Sequence, residues 1–589
     1  MTSTAKNTTA TGASGVFALL KSPLALLAIA LLFVFTLLTL PIILPIGPMY
    51  WDVFLYYDAA NRIFDGQVPV TDFFTPVGPL GYYLFAGWLA IFPNAQPVLL
   101  AHWSLLAVTA PLMALLVWHV DQRSRGTAFA LLIPFLVFAL LPFNTREFYP
   151  FPGSDGFGIY NRQASEVLYI LVAALFFVRD RRLLTILITA SMSALFFLKI
   201  TGFVAGGIIA AYALLSGRVT WRIAILCSLI FFAVLAGIEL SSGLASQYIF
   251  DIMSLVAMNK GTLLPRFLQA TSLNFGIVAT AGSLALLLLW SDRRSLTSGV
   301  FGGQQTSRAG TSPALLTHDG PWLLVVLFAG ILFETQNTGS QALIFLWPVL
   351  LSAFLKTGKL VDRPILVLLI MALVAATALP PAVRVAERAA RTYVGALKNV
   401  PLEHRNLKTL GAVDMRTEVA TRTEHMLRLY PELRAPFEEL VAAGELPTPM
   451  LYSDFDFQIS YLSAVDIAIE SIRGLEARRG IHFDTIMSLN FVNPFPWLME
   501  RSAPLYIAIG ADPMRAVPDP GSQEENAVTD TDLVLYPTCP PTTANALLYD
   551  MYKDALTKHR RIRLDQCYDA FIHPKFEASL GSDPGLPSQ

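Results

Sequence analysis

The sequence predicts a polytopic α-helical membrane protein of about eleven spanning helices with outer juxtamembrane helices, followed by an extracytoplasmic α/β domain. Three observations carry this reading. Hydrophobic residues make up 54% of the 589 residues and charged ones only 14%, whereas a soluble domain carries roughly 25% charged. Long apolar runs recur from residue 23 to 380, with mean hydropathy +0.54 for the chain. After about residue 381 charge rises and the pattern turns to short strand-like and helix-like stretches.

The elements follow in order. The first fifteen residues are rich in Ser, Thr, Gly and Ala, so residues 1–22 read as a disordered cytoplasmic tail. Lys21 precedes an apolar run over 23–45, too long for a signal-peptide core and without a small-residue cleavage site. It predicts an uncleaved first helix with its N-terminus inside. Further runs lie at 79–92, 97–118, 126–142, 163–178, 183–198, 201–216, 223–240, 272–290, 321–334, 341–355 and 364–380. Basic clusters at Arg123/Arg125, Arg179/Arg181/Arg182, Arg218/Arg222, Arg293/Arg294/Arg308 and Lys356/Lys359/Arg363 belong on the cytoplasmic side. They all fall there only if 79–92, PLGYYLFAGWLAIF, does not span. As a helix that run is about 21 Å long, short of the ~30 Å hydrocarbon core, and reads as a juxtamembrane or re-entrant outer helix.

This threading makes 23–383 the membrane domain and 384–589 the outer domain, with the N-terminus cytoplasmic and the C-terminus periplasmic in an inner membrane. The Gly/Ser/Thr-rich loop 291–320 reads as cytoplasmic linker. In the outer domain PMLYSDF, FDTIMSLNF, PLYIAIGA and TDLVLYP predict strands, and AERAARTYVGAL, TRTEHMLRLYPEL and TANALLYDMYKDALTKHRR predict helices. No internal repeat, P-loop or dinucleotide fingerprint is present. A net charge of −1 without a basic face excludes a nucleic-acid partner. Of the three cysteines, Cys227 lies in an apolar run, while Cys539 and Cys567 could pair if their region is extracytoplasmic.

Four polar constellations gather on the outer side. The stretch YWDVFLYYDAANRIFDGQVPVTDFFTPVGPLGYY places Asp52 one turn after the first helix emerges. A carboxylate so near the hydrocarbon is costly unless it works. Tyr56 shares the face of Asp52, and Asp58 and Arg62 stand four apart; the competing reading is a solvated loop with an interfacial aromatic belt. The segment 144–168 carries Arg146, Glu147, Asp155, Tyr160, Asn161, Arg162 and Glu166. An arginine at a helix entrance suits phosphate, though it also snorkels. Lys199 stands alone between two apolar runs, a functional candidate or a helical-hairpin cap. ETQNTGSQALIFLWP gathers Glu334, Gln336, Asn337 and Gln341, suited to sugar hydroxyls or to interhelical hydrogen bonds. A weaker amphipathic stretch, 248–268, ends in Lys260 and Arg266 and could lie near a lipid head group.

The first loop then resembles that of a known family. Asp52, Tyr56, Tyr57, Ala59, Ala60, Gly66, Pro69, Asp72, Phe73, Phe74, Gly78, Pro79 and Leu80 are similar to the first outer loop of GT-C superfamily integral-membrane glycosyltransferases. The likeness is to the bacterial dolichyl-phosphate-mannose-mannosyltransferase-like and lipid A-aminoarabinose-transferase-like branch. It covers about residues 20–350 and is strong over 50–83. It implies sugar transfer from a polyprenyl-phosphate donor to an envelope glycan or lipid acceptor on the outer face. By position Asp52 takes the catalytic carboxylate, and Asp155 or Glu147 the second one. Beside the resemblance, the cationic residues themselves predict lipid-phosphate contacts from Arg162, Lys199 and Arg146. Sugar or acceptor contacts would come from Tyr56, Tyr57, Asp58, Asn161, Glu334, Gln336, Asn337 and Gln341. A divalent metal, Mg or Mn, remains an open cofactor. The first loop lacks the adjacent acidic pair of the protein O-mannosyltransferase branch, which weighs against a protein acceptor.

A transporter or flippase is the alternative from another class. It would line a path through the bilayer midplane with ionisable groups. Here 97–118, 126–142, 183–198, 223–240 and 272–290 are nearly free of central charge. A ligand-sensing protein leaves the membrane-edge constellations unexplained.

Overall fold

The computed structural model describes residues 22–145, 153–259, 261–301, 314–336, 341, 343–360, 362–446 and 455–581. Pro23 opens α1 (Pro23–Thr39), where a missing N–H costs nothing, and the helix stops at Leu40, extended because Pro41 follows. A short strand β1 (Leu44–Pro45) leads into α2 (Trp51–Phe64). The next helix, α3 (Leu80–Ile91), has 12 residues, about 18 Å, and packs across α2.

The bundle continues with α4 (Pro97–Trp103) and α5 (Leu106–Asp121), which meet at a 44° bend. Next come α6 (Arg125–Leu140), α7 (Ile159–Phe177), α8 (Arg181–Leu198), α9 (Ile200–Leu215), α10 (Trp221–Ser242) and α11 (Leu244–Met258). The last are α12 (Leu263–Leu273), α13 (Phe275–Phe301), α14 (Asp319–Glu334), α15 (Trp347–Lys356) and α16 (Pro364–Gly395). α7 is the central post. It is buried on almost every face and packs against α5, α6, α8 and α15.

By length and composition, three described helices can cross a membrane: α8, α10 and α16 with the turn after it. The number rises to five if the bent pairs α4–α5 and α12–α13 each make one span. The expected eleven is not reached on this measure. Six further apolar helices are only 10–17 residues long, at most about 26 Å. Hydropathy runs straight through the breaks that end them. Leu40 is extended before Pro41, Ser124 accepts from Thr127 N to cap α6, and an extended Lys199 divides α8 from α9.

The C-terminal part begins inside a helix, since α16 runs unbroken through residues 383 and 384. It contains β2 (Asn399–Pro401), β3 (Val413–Arg416), α17 (Thr417–Glu432), α18 (Arg434–Ala442) and α19 (Phe455–Arg479). Then come β4 (Ile486–Ser488), α20 (Phe495–Met499), α21 (Ser522–Thr529), β5 (Leu533–Pro537), α22 (Thr543–Tyr552), β6 (Arg560–Arg563), β7 (Tyr568–Ile572) and α23 (Glu577–Leu580). One sheet has the order β4-β5-β7-β6, with β4 and β5 parallel and the other pairs antiparallel. The other has the order β1-β3-β2, so a strand from the first loop pairs with the distant β3, Leu44 opposite Val413. Cys539 and Cys567 form a disulfide across the end of β5 and the start of β7.

Two expected strands correspond to β4 and β5. PMLYSDF lies mostly outside the described residues, and its Phe455 opens α19. PLYIAIGA is not a strand: Tyr506 and Gly510 have positive φ. Its N–H groups at Tyr506 and Ile509 donate instead to the carbonyls of Asp72 and Phe74 in the first loop. The long helix expected over 543–561 ends at Tyr552, and Arg560 and Arg561 lie in β6.

The tyrosines of the first loop do not form an interfacial belt. Tyr50, Trp51, Phe54 and Tyr57 are buried against the C-terminal domain, with Trp51 on Tyr461 at 4.8 Å and Tyr57 on Trp497 at 5.2 Å between ring centroids. Polar contacts fasten the same face. Tyr50 N donates to Gln458 Oε1 at 2.7 Å, Asn61 Nδ2 to Arg501 O at 3.0 Å and Arg62 to Pro504 O at 2.7 Å. Buried aromatic area and satisfied donors together make α2 part of two domains at once.

Candidate active site

Asp52 stands in the first turn of α2, where the helix dipole favours an anion. It is only 7% exposed. Its Oδ2 accepts the N–H of Gly158 at 3.0 Å. Gly158 caps α7 with φ +70°, a conformation that costs a side-chain-bearing residue about 1–2 kcal/mol. Burial raises the Asp52 carboxyl to about 7, against the lowering effects of the Gly158 hydrogen bond and the charge of Arg515. Such a group exchanges a proton near neutrality, as a general base must. Tyr56, one turn along α2, packs on Tyr82 at 5.3 Å, and both lie with Tyr160 within electrostatic reach of Asp52.

Lys199 occupies the turn between α8 and α9 and is 5% exposed. Its ammonium donates to Asn161 Oδ1 and lies over the rings of Tyr160 at 5.2 Å and Phe333 at 5.1 Å. The charge of Glu334 lies within its reach. The turn is seated by Gly78, whose N–H donates to Leu198 O at 3.1 Å and whose place admits no Cβ, because the Phe197 carbonyl fills it. Beyond Glu334, Gln336 Oε1 accepts from Arg266 at 3.0 Å. Asn259 Oδ1 accepts from the same guanidinium at 3.3 Å, and Asn259 Nδ2 donates to Arg515 O at 3.1 Å.

Of the residues expected at the site, Asp52, Tyr56, Asn161, Lys199, Glu334 and Gln336 therefore come together. Others are engaged elsewhere. Asp155 makes a buried bidentate pair with Arg388, at 2.7 and 2.9 Å, and its Oδ2 also accepts from Asn144 N at 2.6 Å. Both of its oxygens are taken, so it braces the loop that presents Gly158 rather than facing a substrate. Arg162 is fully buried and donates to the carbonyls of Phe138 and Leu141 at the end of α6, not to a lipid phosphate. The Gln341 amide oxygen accepts from the same guanidinium at 2.9 and 3.1 Å. Tyr57 bonds Thr409 Oγ1 at 3.1 Å, and Asp58 pairs with Arg62 at 2.9 Å, both in the interface with the C-terminal domain. Arg146, Glu147 and Asn337 lie outside the described residues. Among the described residues no three His, Cys, Asp or Glu side chains stand together to hold a metal.

Sequence reasoning missed Tyr82, Asn259, Arg388 and Arg515. It met Arg266 only as an amphipathic-helix end. An arginine in a polar loop, such as Arg515, carries no sequence signal; only docking gives it a neighbourhood.

Fold and site together define a polytopic helical membrane protein in which a first-loop carboxylate sits between a helical bundle and a C-terminal domain containing β-sheet. The chain is similar to solved structures of ArnT from Cupriavidus metallidurans. The apo form is 11% identical with TM-score 0.39, and the form bound to undecaprenyl phosphate 13% identical with TM-score 0.37. Each alignment covers 95% of this chain and 98% of that one. No protein-family model and no curated protein matches the sequence.

Proposed function

We propose that the protein is a membrane glycosyltransferase that moves a sugar from a polyprenyl-phosphate carrier to an envelope glycan or lipid acceptor on the outer face of the membrane. The observation that supports it is Asp52: a buried carboxylate with its acidity shifted to about 7, ringed by tyrosines, with Lys199 in the adjoining turn and Arg266 beyond. An acceptor hydroxyl attacks the anomeric carbon of the donor, and Asp52 takes its proton. The new glycosidic C–O bond forms as the sugar–phosphate C–O bond breaks. The polyprenyl phosphate leaves with the bonding electrons, and Lys199 and Arg266 neutralise its charge. Asn161, Glu334 and Gln336 line the path as sugar contacts.

The membrane domain covers 23–383 and the extracytoplasmic domain 384–589 in an inner membrane, with the N-terminus in the cytoplasm.

The test is sugar transfer from a panel of radiolabelled polyprenyl-phosphate sugars by purified protein, wild type against Asp52→Asn. The expected result is binding of one donor by both proteins and turnover only by wild type. Turnover by Asp52→Asn would remove Asp52 from the chemistry. Binding of no carrier by wild type would favour the transport reading, checked by flux in vesicles.

A further inference from the structure

Arg515 belongs to the C-terminal domain yet lies at the site of the membrane domain. The loop that carries it is anchored to the first loop through Tyr506 N to Asp72 O at 2.6 Å and Ile509 N to Phe74 O at 3.1 Å. Within the loop, Asp512 accepts from Met514 N at 3.1 Å and from Arg515 Nε at 2.7 Å, which fixes the direction of the guanidinium. Asn259 then ties it to α12, donating to the Arg515 carbonyl while accepting from Arg266. One asparagine thus holds the backbone of one arginine and the guanidinium of another. Arg515 and Arg266 lie within electrostatic reach of each other, and Arg515 also of Asp52 and Tyr160. Arg266 donates to two neutral amide oxygens, Gln336 and Asn259, which leave its charge uncompensated by those contacts. The Arg515 side chain remains 40% exposed. Two guanidiniums brought together from separate domains suit an anion with several oxygens, because each fork can take two of them.

We propose that Arg515 is a ligand of the donor's phosphodiester and of the polyprenyl monophosphate that leaves, opposite Arg266, so that the phosphate site is complete only when the C-terminal domain is docked. This rests on the transferase reading above and adds to it a binding residue from the second domain. The polyprenyl phosphate is bridged between the domains, and its departure after transfer frees one of the attractions that hold them.

The test measures binding of a polyprenyl monophosphate, with the uncharged polyprenol as control, to full-length protein in nanodiscs. Wild type, Arg515→Ala, Arg515→Lys and Asp52→Asn are compared, each with its thermal midpoint. The expected result is a ten- to hundredfold loss of affinity for the monophosphate in Arg515→Ala, partly restored in Arg515→Lys, which keeps the charge but not the fork, with affinity retained in Asp52→Asn. The salt dependence of binding should be shallower in Arg515→Ala. In turnover, KM for the donor should rise more than kcat falls. Wild-type affinity in Arg515→Ala overturns the Arg515 assignment and leaves the transferase reading standing. A loss that Arg515→Lys fails to restore, with a lowered thermal midpoint in both variants, overturns it in favour of a structural role. A wild type that does not distinguish the monophosphate from polyprenol overturns the transferase reading itself.

Discussion

Gly158 donates its backbone N–H to the carboxylate of Asp52 at 3.0 Å, across the gap between the first loop and the entrance of α7. The cap of one helix thereby positions the carboxylate at the start of another, and the left-handed backbone of Gly158 aims the donor.

Replacing Gly158 with alanine should strain that backbone by about 1–2 kcal/mol and turn the N–H away from Asp52. Donor affinity should change little while kcat falls, on the order of tenfold for each 1.4 kcal/mol lost in the transition state. Steady-state kinetics with a fixed donor would read the split; an unchanged kcat would show that the hydrogen bond has no part in catalysis.

In the proposed reaction Asp52 acts as base only when ionised. Burial lifts its carboxyl to about 7, so the ionised fraction grows as pH rises through 7. The profile of kcat/KM should therefore climb from pH 5 to 8 with its midpoint near 7. A flat profile over this range would remove Asp52 from the rate-determining proton transfer.

The Asp155–Arg388 pair ties the loop ahead of Gly158 to α16 with both partners buried. Removing one partner from such a pair leaves an uncompensated charge and costs about 3–5 kcal/mol. Arg388→Met should therefore lower the unfolding midpoint sharply, and adding Asp155→Asn should recover much of the loss. Thermal unfolding in detergent separates the two; equal midpoints for single and double variants would deny the coupling.

The disulfide between Cys539 and Cys567 closes a loop with sequence separation 28 in the four-stranded sheet. Cys539→Ser with Cys567→Ser should destabilise the C-terminal domain by about 2–4 kcal/mol and speed its proteolysis under mild heat. Protease resistance equal to wild type would show that the sheet holds without the cross-link.

Much of the site was legible because the membrane makes charge conspicuous. Asp52, Lys199 and Glu334 stand out against apolar surroundings, and the structure gathers them. The same signal misled at Asp155 and Arg162. A charge near an apolar run marks high stakes, but it does not say whether the group meets a ligand or a neighbouring helix. Arg162 spends its donors on the carbonyls that end α6, and Asp155 its oxygens on Arg388. Arg515 was invisible for the opposite reason, since nothing local distinguishes it from other loop arginines. The span count differed because a hydropathy run records composition, while helix length is decided by single residues such as Pro41 and Lys199.

The pairing of β1 with β3 sets an order of events during biosynthesis. Leu44 leaves the ribosome about 370 residues before its partner Val413, on the order of half a minute at ordinary elongation rates. Through that interval the edge of β1 has no mate, and the face of α2 that holds Tyr50 and Trp51 has no cover. The Asp52 carboxylate is thus among the first polar groups to leave the ribosome, yet its surroundings close around it only after translation has passed the last helix of the bundle. A chain truncated before β3 would insert its helices and still leave the first loop exposed, sticky and open to quality-control proteases.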